Sequence, residues 1–261
     1  MADAVLTDKQ DQNFIITLNR PEKLNALNEE LMVGMRDAVE SVATDKDIRC
    51  IIIRGEGKCF SSGIDFMALA GTGIMQGTGA FARRLIRQLQ DMVNVVADVE
   101  KPVICALHGY CFGMATELAL AADFRVATPD TRVAIQEVTL GLLPDVGGTT
   151  RLTRMLGPIM AKELIMTARE VEAEEALQLR LINRVADDAV AGALELAAQL
   201  NANAPLALAM VKKLINRGQH LDDRTFMEME ALAQSTIIWS KDVQEGVMAK
   251  MQKRKPEFKG E

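Results

Sequence analysis

Hydrophobic and polar residues follow one another along the chain in patterns that predict a mixed α/β fold. Continuous apolar runs at residues 48–54 and 103–107 are typical of strands that are covered on both faces, and residues 14–18 predict a shorter strand. Residues 28–42 and 81–96 carry apolar side chains at helical spacing. Because buried strands need cover, we expect these helices to pack against a central sheet.

Beyond the predicted sheet the pattern is mostly helical. Leu206, Met210 and Leu214 recur every four residues, which places them on one face of a helix. We therefore predict a core of residues 1–198 that contains the functional site, followed by a C-terminal helical region of residues 199–261.

Composition and charge describe an ordinary globular chain and argue against several function classes. The chain has 261 residues, of which 49% are hydrophobic and 25% charged, and a formal net charge of -6. An acidic balance argues against nucleic-acid binding, and the apolar runs are far shorter than the roughly 20 residues that cross a bilayer. The first residues resemble neither a signal nor a transit peptide, so we expect a cytoplasmic protein.

The cysteines predict neither disulfides nor a metal site. Cys50, Cys59, Cys105 and Cys111 show no C-x-x-C spacing, and three of them lie in or beside hydrophobic segments. We expect reduced thiols that pack as small hydrophobic side chains, with no metal bound.

A glycine-bearing stretch at residues 71–79 has the composition of a flexible loop. It matches neither the phosphate loop with its GK[ST] ending nor the dinucleotide fingerprint behind a strand. We predict that residues 71–79 form a mobile lid. The absence of both motifs argues against nucleotide binding.

Two glutamates stand out because they lie in runs that are otherwise apolar. Glu117 and Glu137 each lie beside a glycine-bearing turn. A buried carboxylate loses hydration, so it needs hydrogen bonds, a charge partner or a proton. Loops at residues 55–66 and 108–114 follow buried strands and can present backbone N–H groups to one developing oxyanion. Two carboxyls held in this way can bind a water molecule or transfer a proton.

Several motifs carry a resemblance to a known family. They are Leu18-Asn19-Arg20-Pro21, Phe60-Ser61-Ser62-Gly63-Ile64-Asp65, the run from Lys101-Pro102 to Leu118, and Leu140-Gly141-Leu142-Leu143-Pro144 with Gly147-Gly148. On these motifs the chain resembles the enoyl-CoA hydratase/isomerase (crotonase) family over nearly its whole length. The resemblance implies a spiral of ββα repeats and a C-terminal helical region that helps to build homotrimers, which often pair into hexamers. It also implies an acyl-CoA thioester substrate and no separate cofactor, since coenzyme A is part of the substrate.

The resemblance assigns roles to individual residues. It places the oxyanion hole at the backbone N–H groups of Ile64 and Met114, and the two acid/base groups at Glu117 and Glu137. In the hydratase interpretation the glutamates hold a water between them. Glu117 acts as base when the water adds to C3, and Glu137 delivers the proton to C2 of a trans-2-enoyl-CoA.

The same resemblance places the coenzyme A part of the substrate. Lys23, Leu24 and Ala26 would lie along the nucleotide, and Lys255 of a neighbouring subunit would lie near its phosphates. The residues beside the oxyanion donors are also expected to contact substrate: Ser62, Gly63 and Gly113. Taken alone, the basic cluster at residues 250–256 favours a solvated helix end over anion binding.

Two departures from the hydratase pattern keep an alternative open. The second oxyanion loop reads Gly113-Met114-Ala115 where the family usually has a glycine-rich triplet, and Asp145 stands where typical hydratases have glycine. Dienoyl-CoA isomerases of the family resemble the chain at Asp145 but usually have aspartate in place of Glu117. In a Δ3,5-Δ2,4-dienoyl-CoA isomerase, or another enoyl-CoA isomerase, Glu137 and Asp145 would move the double bonds without adding water. Asp145 as a simple helix N-terminal acid also stays open.

Further interpretations come from other residues and other function classes. Asp65 is expected to cap or brace the first oxyanion loop. Ser61 or Ser62 with His108 and Asp123 supplies the elements of a hydrolase, although no G-x-S-x-G elbow is present. A non-catalytic protein that keeps the crotonase fold is the third alternative.

Overall fold

The chain folds around two sheets. The computed structural model describes residues 3–73 and 77–261. Six strands form the main sheet in the order β1-β2-β3-β4-β6-β9, in which β1 and β2 are antiparallel and the remaining pairs parallel. The small sheet has the order β5-β7-β8. The strands are β1 (Val5–Gln10), β2 (Asn13–Leu18), β3 (Cys50–Gly55), β4 (Val103–Leu107), β5 (Tyr110–Phe112), β6 (Phe124–Ala127), β7 (Arg132–Ala134), β8 (Val171–Glu172) and β9 (Arg184–Val185).

Helices cover the sheets and form most of the C-terminal part of the chain. They are α1 (Glu29–Ser41), α2 (Phe66–Gly71), α3 (Gly79–Asp98), α4 (Met114–Ala121), α5 (Gly148–Thr167), α6 (Ala173–Gln178), α7 (Ala189–Asn201), α8 (Pro205–Gly218), α9 (Asp223–Ile237) and α10 (Lys241–Met251). Polar side chains fix several starts: Asn28, Thr78 and Asp222 each accept a hydrogen bond from an amide in the first turn.

The main sheet is buried on both faces, as the Ile-rich runs predict. In β3, Ile51 and Ile53 belong to the large core that includes α1, α3 and α4, while Ile52 points to a second core under α7. In β4, Cys105 and Ile104 divide between the two cores in the same way. Successive side chains along each strand therefore lie alternately in two hydrophobic layers, one on each face of the sheet.

The first and last residues of the predicted glycine-bearing loop belong to helices. The helix α2 ends at Gly71 and α3 begins at Gly79, while residues 74–76 of the predicted lid lie outside the described residues. The apolar stripe predicted for α3 is buried at Val96 but not at Phe81, which is 41% exposed. The stripe therefore packs against the core only toward the C-terminal end of the helix.

The parallel register brings two loops to one edge of the main sheet. The chain leaves β3 and β4 at their carboxyl ends, and the following segments pair with each other through a bridge between Ser61 and Cys111. A second bridge joins Leu27 to Ile64. These pairings place the loops after β3 and β4 side by side, at the edge where α/β proteins bind ligands.

The C-terminal helices are fastened to the core through α8. Buried Lys212 donates to the carbonyl oxygens of Val96 (3.1 Å) and Lys101 (3.0 Å) and pairs with the Asp123 carboxylate at 2.7 Å. The helix α9 has no buried residue. No helix in the described part of the chain is long and apolar enough to cross a membrane. The predicted boundary between residues 198 and 199 lies within α7, and the division stays a prediction.

Candidate active site

The structure places the amides of Ile64 and Met114 on the two adjoining loops. The bridge to Leu27 uses the carbonyl oxygen of Gly63 and the amide of Asp65, which leaves the Ile64 amide outside the pairing. Met114 is the first residue of α4, so its amide has no acceptor within the helix. Within the described residues neither amide donates a hydrogen bond to a protein atom. Both N–H groups are thus available to a ligand.

Two glycines bring these loops together. A Cβ on Gly63, whose φ is +93°, would lie 2.6 Å from the carbonyl oxygen of Phe112 and 3.6 Å from the nitrogen of Met114. Gly113 has φ +53° and ψ -127°, which L-residues rarely adopt. Met114 has no positive φ, so the departure from the glycine-rich triplet removes no conformation that the loop requires.

Two buried polar side chains hold the first loop: Ser61, which the sequence analysis considered as a hydrolase nucleophile, and Asn25, which it did not select. The hydroxyl of Ser61 donates to the carbonyl oxygen of Asn25 at 2.8 Å and accepts from the Gly63 amide at 3.2 Å. Asn25 is fully buried with φ +52°, and its side-chain amide donates to the carbonyl oxygens of Glu56 and Cys59. Asn tolerates this left-handed conformation better than most residues. That preference is the only feature of the sequence that points to the structural role of Asn25.

Asp65 braces this loop, in agreement with the interpretation from sequence. Its carboxylate accepts from the amides of Met67 and Ala68 at the start of α2, and both terminal nitrogens of Arg20 lie 3.0 Å from its Oδ2. The Ala68 amide is the main cause that lowers the pKa of Asp65, and Arg20 adds to it. The Arg20 of the N-terminal motif thus serves the loop rather than the reaction.

Glu117 is a buried carboxyl that receives two backbone hydrogen bonds. All residues of α4 are buried, and Glu117 is 1% exposed. Its Oε2 accepts from the amides of Val146 at 2.9 Å and Gly148 at 2.6 Å. Burial raises the pKa of Glu117 to about 8, against the two amides, which lower it, and with a contribution from the neighbouring carboxyls of Glu137 and Asp145.

Glu137 lies across the second oxyanion loop in a short 3-10 turn (Glu137–Leu140). A Cβ on Gly113 would lie 2.9 Å from its Oε1, so the carboxyl packs directly against the loop. Its Oε2 is buried without a hydrogen-bond partner among the described residues. Burial, and then the charge of Asp145, raises the pKa of Glu137. A buried oxygen without a partner marks a place for a polar ligand atom.

Asp145 completes a group of three carboxyls that influence one another. Burial raises its pKa, and its charge in turn raises the pKa of both Glu117 and Glu137. No side chain caps the start of α5, and the role of Asp145 as an acid near that helix N-terminus stays a prediction. The structure therefore brings together all three acids that the sequence analysis selected.

Three of the residues expected along coenzyme A lie in the segment that is hydrogen-bonded to the first loop: Lys23, Leu24 and Ala26. Lys23 and Leu24 are exposed, the carbonyl oxygen of Leu24 accepts from the Ser62 amide, and the carbonyl oxygen of Ala26 accepts from Arg20. Lys255 lies in the exposed segment after α10. Contact of these residues with coenzyme A stays a prediction.

The structure does not assemble the hydrolase that sequence elements allowed. Ser61 is bonded to Asn25, His108 lies 3.0 Å from the carbonyl oxygen of Gly57, and Asp123 pairs with Lys212. No pair from this set shares a hydrogen bond within the described residues, so the arrangement lacks the contact between nucleophile and base that catalysis needs.

The four cysteines are free and buried.

Comparisons with known proteins decide the family. The family model described as enoyl-CoA hydratase/isomerase matches residues 9–261. The chain belongs to the enoyl-CoA hydratase/isomerase family. It is 33% identical to the short-chain-enoyl-CoA hydratase of Clostridium acetobutylicum, over 97% of this chain and 96% of that protein. It is 34% identical to the mitochondrial Delta(3,5)-Delta(2,4)-dienoyl-CoA isomerase of Mus musculus, over 95% of this chain and 79% of that protein.

Solved structures confirm the predicted fold of this family member. The crystal structure of enoyl-CoA hydratase from Bacillus anthracis matches with a TM-score of 0.92 and 32% identity, over 99% of this chain and 100% of that chain. The fold is therefore the crotonase spiral with a helical C-terminal region, and the protein is an enzyme of the hydratase/isomerase family.

The raised pKa of Glu117 predicts a stability cost that this family member carries for its site. The unfolded chain ionises this carboxyl near its ordinary value of 4.5, whereas the folded chain keeps the proton until about pH 8. Wild-type stability therefore falls as pH rises between these values. We expect Glu117→Gln to be more stable by roughly 4 kcal/mol at pH 8, with little difference near pH 4.5.

Urea unfolding at equal protein concentration, followed by far-UV circular dichroism at several pH values, measures this difference. Glu195→Gln, which changes an exposed residue of α7, should show no such dependence. A stability gap for Glu117→Gln that is the same at pH 4.5 and pH 8 would contradict the prediction.

Proposed function

We propose that the protein is an enoyl-CoA hydratase that adds water across the C2=C3 double bond of a trans-2-enoyl-CoA. The proposal is carried by two amides that donate no hydrogen bond within the described residues, at Ile64 and Met114, together with two carboxyls. Glu117 is buried, and Glu137 is half-buried with a buried Oε2 that lacks a hydrogen-bond partner there. Both carboxyls have raised pKa values, which is typical of groups that exchange protons near neutral pH.

The amides would bind the thioester carbonyl. As water adds to C3, negative charge develops on the thioester oxygen, and the two N–H groups would stabilise that charge without reorganisation of solvent. Because the donors belong to the backbone of paired loops, their geometry is fixed by Gly63 and Gly113 rather than by flexible side chains.

The carboxyls would move the two protons of hydration. Ionised Glu117, oriented by the amides of Val146 and Gly148, takes a proton from the water as its oxygen attacks C3. Protonated Glu137 gives its proton to C2. Burial raises the pKa of Glu137 and so favours its protonated form, while the two amides favour the ionised form of Glu117. Because the pKa of Glu117 still lies at about 8, the fraction of protein with this carboxyl ionised grows as pH rises toward that value.

Isomerisation of a dienoyl-CoA is the second candidate, because Asp145 lies in the same electrostatic group as Glu137. In that reaction Glu137 and Asp145 would remove and return protons at different carbons of the acyl chain. The similarity to the mouse dienoyl-CoA isomerase supports this candidate, but the hydratase relatives and the presence of Glu117 favour hydration. A non-catalytic role has no observation in its favour.

A direct assay separates the two reactions. Purified protein is incubated with crotonyl-CoA or a 3,5-dienoyl-CoA, and the loss or gain of conjugation is followed by absorbance. We expect hydration of crotonyl-CoA that persists in Asp145→Asn, because the substitution removes only a like charge beside Glu117. Dienoyl-CoA turnover that disappears in Asp145→Asn, with no hydration in wild type, would favour isomerisation.

We also propose how the substrate and subunits are arranged. Lys23, Leu24 and Ala26 would line the nucleotide of coenzyme A, with Lys255 of a neighbouring subunit near its phosphates, and no separate cofactor would be needed. Residues 1–198 would form the catalytic core and residues 199–261 the trimerisation region. Exposed apolar side chains in and beside α9 support a homotrimer or a dimer of trimers: Met227, Leu232 and Trp239. Free thiols support a cytoplasmic location.

A further inference from the structure

The peptide groups whose amides donate hydrogen bonds to Glu117 are also held through their carbonyl oxygens. In a trans peptide the N–H and the preceding C=O belong to one rigid plane and point in opposite directions. The carbonyl oxygen of Asp145, which shares a peptide with the Val146 amide, accepts a 2.6 Å hydrogen bond from the side chain of Gln90. Fixing this carbonyl therefore fixes the direction of the amide.

The second amide is held in the same manner. The carbonyl oxygen of Gly147, which shares a peptide with the Gly148 amide, accepts from the backbone nitrogen of Arg151 at 2.8 Å. The peptide between these two is held by the Arg151 side chain, whose Nη1 donates to the carbonyl oxygen of Val146 at 3.0 Å. Every peptide plane of this turn thus has an anchor on the side away from its N–H.

The anchors come from one face of α3. Gln90 and Asn94 are four residues apart and therefore lie on the same side of that helix. Asn94 accepts a hydrogen bond from Nη2 of Arg151 at 2.7 Å. The helix α3 therefore contacts the turn directly through Gln90 and indirectly through Asn94 and the Arg151 guanidinium. A Cβ on Gly147 would overlap this guanidinium, which explains glycine at that position.

Arg151 also brings a positive charge to the site. Burial lowers the pKa of this guanidinium, and the Glu117 carboxylate is the main charge that raises it. Because electrostatic interaction is reciprocal, Arg151 favours the ionised form of Glu117. The other charges that face these two groups are the carboxylates of Glu137 and Asp145 near Glu117, and Asp98 and Arg154 near Arg151.

We propose that Gln90, Asn94 and Arg151 act together as positioning residues that aim the Val146 and Gly148 amides at the Glu117 carboxylate. None of the three touches the proposed substrate; they act through the turn. The effect on turnover rests on the proposed hydratase function, whereas the effect on Glu117 itself does not.

Removal of the Gln90 donor tests the direct anchor. Gln90→Met keeps the size of the side chain but cannot donate to Asp145, so we expect kcat for crotonyl-CoA to fall roughly 3- to 10-fold, with KM nearly unchanged. The acid limb of the kcat/KM profile should move to higher pH, since misaligned amides favour the ionised carboxylate less. Gln88→Met, which changes an exposed residue of the same helix, should alter none of these quantities.

Replacement of Arg151 separates charge from hydrogen bonding. Arg151→Gln should lower kcat roughly 10- to 100-fold and shift the acid limb further, whereas Arg151→Lys keeps the charge and should restore much of the limb position. Lys162→Gln, which removes an exposed cation farther along the same helix, is the matched control. Variants that melt at lower temperature but keep the wild-type kcat and pH profile would show that the residues are only structural, and would overturn the proposal.

An infrared titration of the ligand-free protein gives a readout that needs no turnover. The band of the protonated Glu117 carboxyl, identified by its loss in Glu117→Gln, should titrate at higher pH in Gln90→Met and Arg151→Gln than in wild type. If wild type does not hydrate crotonyl-CoA but this shift is present, the proposed function fails and the positioning role stands. An unchanged titration contradicts the positioning role, whatever the activity.

Discussion

Glu137→Gln should lower the turnover of crotonyl-CoA by roughly 10²- to 10⁴-fold, the range that general acid catalysis contributes. The substitution keeps the shape of a side chain whose Oε2 is buried without a hydrogen-bond partner in the described structure, but it removes the proton that C2 must receive. KM should change little, because the thioester is expected to be bound by the amides of Ile64 and Met114.

Steady-state kinetics with crotonyl-CoA measure this loss, and Glu117→Gln should show a loss of the same order through its role at C3. The Glu195→Gln control should match wild type, since that residue is exposed on α7. If Glu137→Gln keeps near wild-type turnover while Asp145→Asn abolishes it, the proton donor has been misassigned.

Gly113→Ala should reduce kcat by about 10²-fold or more, because it disturbs an oxyanion donor and an acid at once. The glycine has φ +53° and ψ -127°, and an added Cβ would lie 2.9 Å from Oε1 of Glu137. Relief of the collision requires movement either of Glu137 or of the peptide that begins α4 at Met114. Each movement spoils the geometry on which the proposed reaction depends.

A matched control separates backbone strain from collision. Gly157 within α5 has φ +76° and ψ 167°, also unfavourable for an L-residue, but nothing in the described structure lies within 4 Å of an added Cβ. Gly157→Ala should therefore lower stability by about 1 to 3 kcal/mol while kcat stays close to wild type. Equal losses of kcat in both variants, measured alongside thermal unfolding, would mean that strain and not the site explains the effect.

Hydrophobic patterning predicted the central part of the fold but not all of its elements. The continuous apolar runs correspond to β3 and β4, and the predicted helix at residues 28–42 agrees with α1, which begins after the capping residue Asn28. The strand β1 was missed because it is an exposed edge strand with few apolar residues. The helix α2 was missed because it is short and has no buried residue, so no periodicity marks it.

The candidate site shows a similar division between what patterns reveal and what they hide. Carboxyls in apolar surroundings were conspicuous, and the structure brings Glu117, Glu137 and Asp145 into one group. Gln90 and Arg151 were not selected, because a polar residue on an amphipathic helix is ordinary and its partner is a backbone carbonyl distant in sequence. Such contacts depend on how helices are set around a turn, which periodicity does not encode.

The burial of the cysteines makes them internal reporters of opening. Cys50 lies in the layer beneath α7, while Cys105 and Cys111 lie in the larger core, and burial raises the pKa of Cys50 and Cys105 to about 12. A thiol reagent reaches neither layer until the surrounding structure separates, because reaction needs an accessible thiolate. Mass spectrometry of pulse-alkylated protein can therefore show, in a single experiment, which of the two hydrophobic layers becomes accessible to the reagent first.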